Sequence, residues 1–188
     1  MDYSIISKNV IKIIEVLAEG KAYFNEIYEK TKIKSKNNLL KNLNLLTVNK
    51  LLIRNENKSN TFYSLNYRNN ILISLLNLIN KTKFENLAFD IKKSISEAVF
   101  TSKPRIAILF GSYAKGNYNK RSDVDLIFFD AIEKKRIKGI SSKYGVRLNV
   151  TFMDIKEFRK DNEALNHILK TGYPMVGEEY FYDETKEV

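Results

Sequence analysis

The stretch from Pro104 to Ile127 constrains this chain more than any other. Pro104 precedes an apolar run, Arg105-Ile106-Ala107-Ile108-Leu109-Phe110, which has the length of a buried strand and stops at Gly111-Ser112. A glycine there lets the backbone turn tightly and lets a ligand approach it. Successive backbone N–H groups in such a turn form a concavity for anions. Ser112 adds a hydroxyl, and Lys115, Lys120 and Arg121 add positive charge in the same loop. Asp123-Val124-Asp125 then opens a second strand that extends to Phe129. Side chains on a strand alternate faces, so both carboxylates should point the same way. Two like charges on one face repel unless a cation lies between them. Magnesium is commonly held by one or two carboxylates together with phosphate oxygens. An anion-binding turn upstream of a paired carboxylate is therefore a coherent site for a triphosphate and a divalent cation. The chemistry expected of it is in-line displacement at phosphorus.

A third strand is expected at Val146–Met153, and helical patterns surround all three, so this half reads as α/β or α+β. The preceding half is different. Ser4 to Glu19 carries Ile6, Val10, Ile13, Ile14 and Leu17 at helical spacing, and Gly20 ends it. A second helix is expected from about Tyr23 to Thr31. Ser35 suits the N-cap of a third, with Leu39, Leu40, Leu43, Leu46 and Leu51 as its apolar stripe. Leu52-Ile53-Arg54 and Thr61 to Leu65 flank a polar turn and read as a hairpin. From Asn70 to about Ser102 the pattern is helical again, with a break expected near Lys81-Thr82-Lys83.

Two resemblances follow from these residues. Ser35 to Asn66 resembles the recognition helix and wing of winged helix transcription regulators. In that family the third helix enters the major groove. The resemblance implies that Lys36, Asn37, Asn38, Lys41 and Asn42 face DNA and that Lys58 sits at the wing tip. Gly111 to Phe129 resembles the signature of the polymerase-beta nucleotidyltransferase superfamily: Gly-Ser, a spacer, then Asp-x-Asp among apolar residues. It is most similar to the minimal nucleotidyltransferases of archaea and bacteria. That resemblance implies ATP as substrate and Mg2+ or Mn2+ as cofactor. It assigns Gly111, Ser112, Lys115, Arg121 and Ser122 to the nucleotide, and Asp123 and Asp125 to the metal and to catalysis. The expected fold class is α+β, a winged helix domain followed by a small mixed-sheet nucleotidyltransferase domain. The boundaries expected are 1–68 for the winged helix, 69–84 for a helical linker and 85–188 for the transferase.

The family pattern has a third carboxylate on a later strand, and Asn149 stands at that position here. Asparagine can offer a carbonyl oxygen to a metal, but it carries no charge and cannot act as a base. Asp154 has the opposite strand parity, and Asp154-Ile155-Lys156-Glu157 reads instead as a helix cap with an acid three residues on. Asp130 and Glu133 are assigned to a loop. His167, the single histidine, is read as a surface or helix-end residue. Tyr173, Tyr180, Phe181 and Tyr182 are expected to pack as a final strand or lid.

Charge and composition narrow the partners. The net charge of +10 favours polyanions. Residues 1–67 hold 11 Lys and Arg against 6 Asp and Glu, and residues 68–188 hold 21 against 16; each part is +5, so the shorter is the more densely basic. A Lys-rich solubilising surface accounts for the charge equally well. The absence of cysteine excludes disulfides, thiolate metal sites and thiol nucleophiles, and fits a cytoplasmic location. No apolar run reaches membrane-spanning length, and the N-terminus lacks the pattern of a secretory signal.

Two functions are consistent with these features. One is a transferase that moves AMP from ATP to a hydroxyl acceptor. Minimal nucleotidyltransferases resemble antitoxins that adenylylate a tyrosine on a HEPN-domain toxin, and also transferases that modify antibiotics. No drug pocket is evident, so a protein acceptor is favoured. The other is a DNA-binding regulator whose degenerate transferase domain senses nucleotide. The apolar helix Ile71–Ile79 is a candidate surface for a homodimer.

Overall fold

A computed structural model describes residues 7–57, 60–134, 136–158 and 163–185. The chain divides into two compact units, Met1–Leu76 and Asn77–Val188. Lys58 of the expected wing tip and the expected helix start at Ser4–Ile6 lie outside the described residues.

In the first unit, α1 (Lys8–Ala18) begins where the Ser7 hydroxyl accepts a hydrogen bond from the Val10 N–H. Val10, Ile13, Ile14 and Leu17 are buried along one face, as the spacing requires. A two-residue strand, β1 (Ala22–Tyr23), leads into α2 (Phe24–Thr31), whose Glu26 carboxylate accepts from the Tyr23 N–H at 2.7 Å. The third helix, α3 (Lys36–Val48), starts at Ser35, whose side chain accepts from the Asn38 N–H. Leu39, Leu43 and Leu46 are buried, whereas Leu40, expected in the same stripe, is exposed. The hairpin forms as β2 (Leu52–Asn57) and β3 (Asn60–Leu65), and β1 adds to it to give an antiparallel sheet of order β1-β3-β2.

The next helix, α4 (Asn70–Glu85), runs straight through the break expected at Lys81–Lys83. Lysine is a good helix former, and the Thr82 hydroxyl is absorbed by the Leu78 carbonyl one turn back. The chain leaves the helix instead at Asn86–Ala88, where the buried Leu87 turns inward and its N–H bonds the Phe84 carbonyl.

The second unit is built on α5 (Phe89–Ser102) and a four-stranded mixed sheet. Its strands are β4 (Ile106–Phe110), β5 (Val124–Phe129), β6 (Leu148–Met153) and β7 (Tyr173–Val176), in the order β6-β5-β4-β7. Only β5 and β6 are parallel. Their crossover contains α7 (Ile137–Tyr144), which packs beside α5. Leu109, Leu126 and Phe128 lie in one buried cluster with Ile95 and Ala98 of α5 and Ile140 of α7. At an upper estimate of ~25 cal/mol per Å² of apolar area, a core of such side chains supplies most of the drive to fold.

After β6, the Asp154 carboxylate accepts from the Lys156 N–H at 2.8 Å and so caps the short α8 (Ile155–Phe158). Asp154 therefore acts as a helix cap. Asp130, at the end of β5, accepts from the Ile155 N–H at 2.9 Å. His167 is exposed on α9 (Glu163–Thr171). The aromatic tail splits: Tyr173 lies in β7, while Tyr180, Phe181 and Tyr182 lie on α10 (Glu178–Thr185). Among the described residues, no helix is long and apolar enough to cross a membrane.

Candidate active site

The site forms where β4 ends and β5 begins. Antiparallel register places Phe110 opposite Asp125. The chain then turns at once into α6 (Gly111–Lys115). Gly111 has φ +70°, which an L side chain rarely adopts. A Cβ at this position would also collide with the Asp125 carboxylate. Two separate constraints, backbone conformation and space, thus require glycine at the turn. The sequence signature is a close approach of the Gly-Ser turn to the second acid.

Asp123 lies one residue before β5, and Asp125 is the second residue of that strand. The neighbouring strand takes one acid each. Asp125 pairs in register with Asn149, whose Nδ2 donates to Asp125 Oδ1 at 2.9 Å. Arg147 forms an ion pair with Asp123, its Nε 2.7 Å from Oδ1, and its carbonyl accepts from the Val124 N–H at 2.8 Å. The partners Arg147 and Asn149 are two residues apart, as are the acids, so all four side chains follow one face of the pleat.

The loop between turn and acids is shaped by its own polar groups. The Asn119 N–H donates to Ser122 Oγ at 2.9 Å, and Asn119 Oδ1 accepts from the Arg121 N–H at 2.8 Å. The Ser122 hydroxyl is thus engaged in holding the loop. Lys115, Lys120 and Arg121 are exposed, and Ser112 is half-buried on the first turn of α6. Tyr113 is buried and stacks on Tyr118 with ring centroids 4.3 Å apart and planes 11° from parallel. Burial, then the neighbouring Tyr118 and Asp123, push the Tyr113 hydroxyl above its ordinary pKa, so it stays protonated near neutral pH.

Gly111, Asp123, Asp125 and Asn149 therefore come together, and Ser112 adjoins them in sequence on the same turn. Arg147 joins them without having been singled out from sequence. The signal was present: with period 2, the strand that presents residue 149 also presents residue 147. Of the residues assigned to DNA, Lys36, Asn37, Asn38 and Lys41 are exposed on α3 in the other unit. Asn42 is partly covered, and its side chain donates to the Asn38 backbone carbonyl and to Asn38 Oδ1.

The donor set bears on the implied metal. Among the described residues, no group of three or more His, Asp or Glu side chains forms a ready metal cage. Two carboxylates with an amide beside them suit a magnesium ion that takes its remaining oxygens from a phosphate ligand and water. They do not suit an ion held by protein alone.

The same unit resembles known proteins in sequence. The family model described as polymerase beta, nucleotidyltransferase, matches residues 90–179. A protein of Methanocaldococcus jannaschii named "Putative protein adenylyltransferase" is 35% identical over 71 residues, which cover 35% of this chain and 71% of the relative. No solved structure matches the chain. The matched region holds the glycine–serine turn, both acids and the strand that partners them, and the chain belongs to the polymerase beta nucleotidyltransferase family.

Proposed function

We propose that this chain transfers AMP from ATP to a hydroxyl group on a protein. The observation that carries the reading is the seating of the Asp125 carboxylate directly against Gly111, with Asp123 beside it. This brings an anion-binding turn and an acidic pair to the same place. Gly111, Ser112 and the backbone of the first α6 turn would hold phosphate oxygens, with Lys115 and Arg121 contributing positive charge from the loop. Asp123 and Asp125 would hold Mg2+ or Mn2+, which when bound offsets negative charge on the phosphates. The acceptor hydroxyl gives its proton to water as its oxygen bonds to the α-phosphorus, the α–β bridge breaks, and pyrophosphate leaves. The protein acceptor is supported by the name of the Methanocaldococcus relative. A tyrosine of a HEPN-type toxin is one acceptor of this kind.

The test uses ATP labelled at either its α- or its γ-phosphate. The α-label is expected to pass to a protein acceptor and the γ-label is not. Asp125→Asn should lower transfer by roughly a hundredfold or more, since it removes charge from an electrostatic site. Equal labelling by the variant would overturn the proposal.

A second reading is favoured by Asn149. The side chain at the third position donates to Asp125 and can neither accept a proton nor add charge. We infer that a domain of this kind could bind ATP with little turnover. The order of three helices then a hairpin, and the basic charge of the first unit, support a winged helix that binds DNA, with Lys36, Asn37, Asn38 and Lys41 on the contacting helix. In that reading the chain is a nucleotide-sensing regulator. A silent wild type beside an active Asn149→Asp variant would favour it over the transferase.

A further inference from the structure

Resting on the reading of the site as a nucleotide–metal centre, we propose that Arg147 positions the nucleotide by exchanging partners. Its guanidinium holds Asp123 while no divalent cation is bound, and turns to the triphosphate when a cation takes that carboxylate. Three observations carry this. Arg147 is ion-paired with one of the two acids, its Nε 2.7 Å from Asp123 Oδ1, so a cation entering on that oxygen competes with it. The pair is exposed, with 66% of the Arg147 side chain and 49% of the Asp123 side chain accessible; exposed ion pairs are weak and easily exchanged. The backbone of Arg147 is meanwhile fixed, because its carbonyl bonds the Val124 N–H at 2.8 Å. The displaced head therefore stays within side-chain reach of the site.

The chemistry of the released group selects its next partner. A guanidinium is always charged, and its planar fork matches the oxygens of a phosphate. A bound cation on Asp123 repels it, while a triphosphate brings negative charge to the same face. Arg147, the residue before β6, and Asn149 on that strand each partner one of the two acids.

The test uses the full chain with two probes: Mn2+ alone, followed by its spin-resonance signal, and Mn2+ with α,β-methylene-ATP, followed by calorimetry. Arg147→Ala should bind Mn2+ alone roughly three- to tenfold more tightly, because the competing guanidinium is gone. It should bind the Mn2+–nucleotide pair more weakly by roughly tenfold or more, as loss of one charge-assisted contact implies. Arg147→Lys should compete with Mn2+ like the wild type but recover only part of the nucleotide affinity, because an ammonium lacks the fork. A general loss of structure cannot tighten metal binding. If Arg147→Ala matches the wild type with both probes, or weakens both, the exchange is wrong. A wild type that binds neither probe overturns the reading of the site itself, and this is visible before any variant is made.

Discussion

At the scale of single residues, the site depends on what glycine and asparagine cannot do. Gly111→Ala meets both a positive φ and the Asp125 carboxylate. It is expected to cost roughly 1–3 kcal/mol of stability and to abolish nucleotide binding, which thermal unfolding and calorimetry would show. Asn149→Asp replaces an amide donor with a carboxylate facing Asp125. Without metal the two charges should repel and lower the melting temperature; excess Mn2+ should restore it, because the cation binds only the folded chain. A melting temperature that ignores Mn2+ would contradict the assignment. Much of this was legible in the sequence, since Gly111, Asp123, Asp125 and Asn149 are fixed by a turn and by strand parity. Arg147 escaped because the resemblance directs attention to the missing acid and not to its neighbour. Ser122, assigned to the ligand from its place in the motif, also accepts from the Asn119 N–H and so helps shape the loop.

At the scale of elements, α5 and α7 cover one face of the sheet and are joined at their rims. Glu97 of α5 accepts from Lys143 Nζ and from Tyr144 Oη of α7, each at 2.6 Å. The Lys143 hydrogen bond, then that of Tyr144, holds the Glu97 carboxyl below its ordinary 4.5. A carboxyl lowered in the folded state adds stability above its unfolded pKa, and that stability is lost as pH falls through the folded value. Glu97→Gln should therefore melt slightly earlier than the wild type at pH 7, and the gap should close as pH drops below about 4.5. A gap that persists in acid would point to packing instead. Helices and long strands were readable because their apolar period is strong. The two-residue β1 carries no period, and it exists only because β3 offers Phe62 and Tyr63 as ladder partners. The continuity of α4 past Lys81 was hidden for a related reason: a polar stretch ends a hydrophobic stripe without ending a helix.

At the scale of the whole molecule, charge and family membership pull in different directions. The family explains residues 90–179, whereas the net charge of +10 is shared by both units. If the first unit contacts DNA through Lys36 and Lys41, affinity should fall steeply between about 50 and 200 mM salt, with a log–log slope near −0.9 for each phosphate neutralised. Lys36→Ala with Lys41→Ala should flatten that slope by roughly two. A slope unchanged by the double variant would exclude α3 as the contacting helix. Calorimetry of the full chain with ATP, in Mg2+ and again in excess chelator, tests the nucleotide–metal centre of the other unit. Saturable ATP binding that depends on Mg2+ and is lost in Asp125→Asn is the expected result. Binding of equal strength in chelator, or in the variant, would contradict it.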